Sequence, residues 1–226
     1  MIFKQANYDT MPKVERIVVL AAGPSAKKAI NKVRNWKNKN TVVIVTNYRF
    51  PIKANYTFFV SPKVFQQQYK NVTGKIVITK PYIKIGQYRK DKNIMKRIVI
   101  FKCGKEKVWN IDKIDIDKKG VVQHDIASSG FGALLFATYF DPTELLILGF
   151  DGPNKTDKKY ILNHFNGKKQ KRVLDERHIK LDNDYRNFMK NKMIPYLFDS
   201  GIKEIYLCKE DRFRGIDKNE LKVKVL

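Results

Sequence analysis

Arg-Ile-Val-Val-Leu-Ala-Ala-Gly-Pro-Ser, residues 16–25, is a β-branched apolar run that ends in a Gly-Pro turn. Apolar positions then recur at Ala29, Ile30 and Val33, which predicts a helix over 26–36. A buried strand feeding a helix through a glycine-containing turn is an element that can present backbone N–H groups to a phosphate. Gly-Pro-Ser at 23–25 supplies the close backbone approach, a proline suited to an early helical position and a hydroxyl donor. The turn also reads as an ordinary helix start. It has neither the three glycines of a dinucleotide fingerprint nor the Gly-Lys-Ser/Thr ending of a P-loop.

Outward from this turn, Thr41 to Val45 is a second apolar run, so a βαβ unit occupies about the first fifty residues. Further strands are expected at 56–60, 76–79, 97–101, 144–149 and 204–208, and a short helix at 64–70. Residues 81–95 lack a period and read as a surface loop. Ser128-Ser129-Gly130 precedes an apolar helix over 131–140. Asp151-Gly152-Pro153 opens a Lys-rich stretch, 154–177, with no core period, which reads as an exposed lid within about 152–178. A helix over 181–197 follows, with Tyr185, Phe188, Met189 and Ile194 inward and Pro195 as a kink. The expectation is one α/β domain over residues 1–226, Rossmann-like, with a mostly parallel central sheet, helices on both faces and a polar lid.

The composition narrows the classes. A hydrophobic share of 43% supports a folded core. The longest apolar stretch, 131–140, is too short for a membrane span, and the first apolar run is too short for a signal-peptide core, so a cytoplasmic location is expected. Cys103 and Cys208 lack a second ligand at metal or redox spacing and read as buried thiols. The net charge of +24 attracts nucleic acid, anionic lipid and anionic small molecules alike. No helix-turn-helix, zinc-finger or RNP-like signature accompanies it, so no specific nucleic acid is expected. A basic nucleic-acid-binding module therefore rests on charge alone. A peripheral contact with an anionic membrane at its inner face, and a homo-oligomer, are compatible with the composition.

Three candidate sites emerge from the residues themselves. Gly23, Pro24 and Ser25 form the first turn. Ser129 and Gly130 form a second, where capping by serine is the structural alternative. His178 lies between the lid and the last long helix, where a general base could meet an acceptor hydroxyl. His164 in the lid is the runner-up, and His124 has only its nearness to Ser128. The Ile-Asp alternation over 111–119 mimics a metal-binding Asp-x-Asp but reads better as a half-exposed strand, so no metal site is assigned.

Taken in order, the pieces resemble the bacterial sialyltransferases of glycosyltransferase family 42. The opening turn Ala21-Ala22-Gly23-Pro24-Ser25, Asn47 after the second strand, and the aromatic segment Phe58 to Tyr69 carry the likeness. Ser129-Gly130 before an apolar helix, Gly149-Phe150-Asp151, Tyr160 in the lid, His178 and the strand ending in Cys208 complete it. The resemblance implies a GT-A-type variant of the Rossmann-like fold, no metal or other cofactor, and a nucleotide-sugar donor, CMP-linked by preference. It implies that Gly23, Pro24, Ser25, Asn47, Ser129, Gly130 and Asp151 bind the donor. Tyr160 would then hydrogen-bond the leaving phosphate, and His178 would deprotonate the hydroxyl of a glycan or glycolipid acceptor with inversion. The chain departs from the family at Ala22, where an Asn is usual, and at Val60 or Ser61, where an Asn precedes the Pro. The first turn is also similar to that of archaeal-type pterin diphosphokinase-like proteins. That likeness implies Mg²⁺-dependent pyrophosphoryl transfer, with Asp125, Asp151 and Asp182 as candidate ligands.

Overall fold

The computed structural model describes residues 4–80, 85–88, 90–102, 128–152, 154–156, 159–163, 169–173 and 176–226. Its strands in chain order are β1 (Lys4–Gln5), β2 (Arg16–Leu20), β3 (Thr41–Thr46), β4 (Tyr56–Phe59), β5 (Lys75–Lys80) and β6 (Ile98–Lys102). They continue with β7 (Glu144–Leu148), β8 (Asn154–Thr156), β9 (Lys159–Asn163), β10 (Lys169–Val173), β11 (Glu204–Leu207) and β12 (Lys224–Val225). Nine of them form one sheet in the order β1-β6-β5-β4-β3-β2-β7-β11-β12, and every pairing in it is parallel. The apolar runs read from the sequence are its central strands. Their continuous hydrophobicity follows from burial on both faces.

Alternation along the strands divides the core. Ile17, Val19, Ile44, Phe58, Leu145 and Ile147 face one side, under α5 (Ser129–Thr138) and the C-terminal helices. Val18, Leu20, Val43, Val45, Leu146 and Leu148 face the other, under α1 (Ser25–Lys28) and α2 (Ile30–Trp36). A third cluster packs Phe59, Ile76, Ile78, Ile98 and Ile100 against α3 (Pro62–Gln68) and α4 (Lys92–Met95). Helices therefore cover both faces, and the fold is α/β and Rossmann-like. Among the described residues, no helix is long and apolar enough to cross a membrane.

The structure departs from the expected elements in four places. The first helix is two pieces, because Ala29 leaves helical geometry at φ −94°, ψ 5°. The loop expected over 81–95 contains a 3₁₀ turn, Ile85–Tyr88, and the single helical turn α4, which the buried Ile94 and Met95 anchor. The stretch expected as a lid is not all loop, since β8, β9 and β10 form a three-stranded antiparallel ribbon. Its short β8 and the Lys, Gln and Arg residues of β10 hide the strand period from a hydrophobicity reading. The last long helix begins earlier than expected, as α6 (Glu176–Phe188), and passes through a π-helical turn, Met189–Met193, into α7 (Ile194–Asp199). The widened turn gives the ring of Pro195 room, and that residue has no N–H to donate in any case. Phe188, Met189 and Ile194 are buried as expected, and Tyr185 is partly so.

Candidate functional site

The strand order reverses between β3 and β7, which flank β2, and ligands in open α/β sheets bind outside the carboxyl ends of the strands at such a point. A cavity of about 160 Å³ opens there. Ala21, Ala22 and Gly23 follow β2, Thr46 and Asn47 close β3, Gly149, Phe150 and Gly152 follow β7, and Ser128, Ser129 and Gly130 start α5. Arg214, from the segment after β11, completes the lining.

Asn47 and Ser129 are 82 positions apart in sequence and meet at this rim. Asn47 sits in the left-handed region at φ 64°, a conformation asparagine tolerates better than most residues. Its Oδ1 accepts a hydrogen bond of 2.9 Å from Ser129 Oγ, which in turn accepts one of 3.3 Å from Val60 N–H. Ser128 caps α5 by accepting from Phe131 N–H at 3.2 Å. The apolar α5, buried along its whole length, is thereby fixed with its N-terminus at the cavity. Gly130 is needed for packing, since a Cβ there would lie 2.9 Å from the ring of Phe150.

The first turn is arranged differently. Gly23 N–H donates to Gly149 O at 2.9 Å, and Ser25 N–H donates to Asp151 Oδ2 at 2.9 Å. A carboxylate of the protein itself thus occupies the start of α1. Asp151 is buried, and its Oδ1 also accepts from Arg212 N–H at 3.4 Å. Ser25 is buried as well, and its Oγ has no partner among the described residues. Of the sequence-predicted donor residues, then, Gly23, Asn47, Ser129 and Gly130 line the cavity. Pro24, Ser25 and Asp151 are not among the described residues that line it.

A second buried acid sits beside the first. Asp211 accepts from Phe150 N–H at 2.9 Å and from Phe213 N–H at 2.7 Å, so it holds the segment after β11 against the end of β7. Burial, with the charge of Asp151 added, pushes its carboxyl up to about 6.

His178 lies in the first turn of α6. Tyr160 lies on β9, the middle strand of the three-stranded ribbon, in register with Lys155 on one side and Arg172 on the other. Asp182, one turn beyond His178 and wholly buried, is held by Arg186 and Arg214, each at 3.2 Å. It faces guanidinium groups, which is the wrong surrounding for a cation ligand. Cys208 is buried, and its thiol donates to Glu210. His124, Asp125, His164, Cys103 and the run 111–119 lie outside the described residues. Arg214 escaped the sequence reading. The signal for it was a lone Arg-Phe-Arg-Gly cluster at 212–215, after the last predicted strand.

No protein-family model and no curated protein matches the sequence. Among solved structures, a MAF glycosyltransferase from Magnetospirillum magneticum AMB-1 has a similar fold, with a TM-score of 0.53 and 8% identity. The match covers 98% of this chain and 36% of that one, so this chain spans about a third of that protein's length. At this identity the likeness is one of fold.

Proposed function

We propose that the chain is a glycosyltransferase that takes a nucleotide-sugar donor, CMP-linked by preference, at the carboxyl end of β2, β3 and β7. The observation that carries the reading is the cavity at the reversal of strand order, where Asn47 and Ser129 are joined by a hydrogen bond beside the backbone of Gly23 and Gly130. A fold shared with a protein named as a glycosyltransferase supports it at the level of reaction class.

In this reading the polar rim takes the nucleotide, and the lid brings Tyr160 to the leaving phosphate as a hydrogen-bond donor in place of a metal. His178, at the start of α6, removes the proton from the acceptor hydroxyl as that oxygen attacks the anomeric carbon, with inversion. The acceptor is a glycan or glycolipid, and the basic surface suits an anionic membrane that carries it. The magnesium-dependent alternative needs carboxylates open to a cation, and Asp151 and Asp182 are both spent on the protein's own donors.

A thermal-shift panel of CMP, UDP, GDP and ATP with their sugar conjugates tests the donor, because saturation at a hundredfold the Kd adds about 2.7 kcal/mol of stability. Transfer or donor hydrolysis that survives EDTA is the expected second result. Activity that requires Mg²⁺, or a His178→Ala variant that turns over like wild type, would overturn the mechanism.

A further inference from the structure

We propose that Arg214 is the residue that binds the phosphate of the ligand in this cavity. The proposal deepens the nucleotide-sugar reading and rests on it for the nature of the ligand.

An anion entering the cavity meets an unfavourable background, because Asp151 and Asp211 are buried directly behind the Phe150 wall. Among the described residues that line the cavity, Arg214 is the one charged side chain. It belongs to neither the opening turn nor the lid, and topology alone brings it there. Its backbone is in the left-handed region, φ 56° and ψ 21°, which a side-chain-bearing residue adopts at some cost. That conformation is held by its N–H, which donates to Phe150 O at 2.9 Å. The neighbouring Gly152 permits the close approach, since a Cβ there would lie 3.0 Å from Arg214 Cγ.

The guanidinium is fixed on two sides. It lies 4.4 Å above the ring centre of Tyr185, and its Nη1 donates to Asp182 Oδ1 at 3.2 Å. A purely structural pairing would need only one cation for Asp182, and Arg186 already supplies one at 3.2 Å. Two guanidinium groups share this one buried carboxylate, so Asp182 offsets the charge of Arg214 only in part. The Arg214 side chain is only 16% exposed, and its Nε and Nη2 have no partner among the described residues. A planar, immobilised, half-desolvated guanidinium with two donors to spare suits the oxygens of a phosphate. Asp182 acts through it, as a positioning residue, and stands on the same helix as His178. The helix proposed to carry the base and the cation proposed to hold the donor are thus linked by one ion pair.

The test uses the full chain and three probes: inorganic pyrophosphate, CMP and the uncharged nucleoside cytidine. Their Kd values are measured by calorimetry for wild type, Arg214→Gln and Arg214→Lys. The glutamine variant is expected to weaken pyrophosphate and CMP roughly tenfold or more while cytidine is unchanged. The lysine variant, which keeps the charge but not the planar fork, is expected to fall between. Wild-type affinity for pyrophosphate and CMP in either variant overturns the proposal, as does failure of both probes to bind the wild-type chain. Equal weakening of cytidine also overturns it, since the role would then be to hold the cavity's shape. Arg214-dependent binding of pyrophosphate without hydrolysis or transfer from any nucleotide-sugar would sink the transferase reading and leave the anion site standing.

Discussion

The two small-residue turns beside β2 begin alike, each leading from extended chain into a helix N-terminus, and their helices then do different work. At 23–25 the free amides are consumed from within: Gly149 O takes the N–H of Gly23, and the Asp151 carboxylate takes that of Ser25. At 128–130 the cap is local, with Ser128 accepting from Phe131 N–H, and Ser129 reaches across to Asn47 at the open rim. The first turn locks β2 to β7, and the second faces the cavity. The lesson is that a helix start becomes a ligand site only if no other part of the chain brings an anion to it first.

The sharpest way to break this contrast is to put a methyl group into the locked turn. A Cβ at Gly23 would lie 2.2 Å from Asp151 Oδ2 and 2.5 Å from Gly149 O, and a backbone carbonyl cannot swing aside. Gly23→Ala is therefore expected to cost about 3 kcal/mol or more. In a chain of this size that lowers Tm by roughly 6–12 °C. A variant that melts like wild type would mean that the turn is loose and its amides are available to a ligand after all.

Asp151→Asn probes the same lock electrostatically. The asparagine amide can accept from only one of the two N–H groups that the carboxylate serves, at Ser25 and Arg212. The loss is expected to be about 1–2 kcal/mol, part of it offset by removing the charge beside Asp211. The pH dependence carries the diagnostic. Asp211 is raised from 3.8 to about 6, so the folded state holds its proton more tightly than the unfolded chain does. Its stabilising contribution is complete below about pH 4 and is lost as pH rises through about 6. Removing the Asp151 charge lowers that raised value toward normal, with burial still holding part of the shift. Denaturant titrations between pH 4 and 7 should then show a shallower fall in stability than wild type. An unchanged slope would mean the two acids do not sense each other.

This contrast also measures what the sequence could reveal. The seven apolar or aromatic strands and α5 were legible because continuous hydrophobic runs mark strands and helices buried on every side. The two-residue edge strands β1 and β12 carry no such pattern. The ribbon escaped because β8 has only three residues and β10 is written in Lys, Gln and Arg, so backbone pairing rather than hydrophobic alternation defines them. In the site, Asn47, Ser129, Gly23 and Gly130 line one cavity because each follows a strand or starts a helix at the same sheet edge. What was hidden depended on partners distant in the sequence. The pairing of Ser25 with Asp151 spans 126 residues, and nothing local at 23–25 shows that a carboxylate will claim the turn. Arg214 was hidden for the same reason, since Asp182 and Tyr185 give it meaning only in three dimensions.

The smallest expected change in stability belongs to the open turn, and it sharpens the comparison most. Asn47 holds φ 64°, which costs an L-residue about 1 kcal/mol relative to glycine. Its Oδ1 returns a similar amount, about 1 kcal/mol, through the hydrogen bond from Ser129. Asn47→Gly removes both, so Tm should stay within a degree or two of wild type. Nucleotide affinity should nevertheless fall, because the rim loses a side-chain amide and Ser129 loses the partner that orients its hydroxyl. Calorimetry with CMP on a variant already shown to melt normally separates the two contributions. Wild-type affinity in Asn47→Gly would mean that the asparagine serves only its backbone conformation, and that the second turn, like the first, spends its polar groups on the fold.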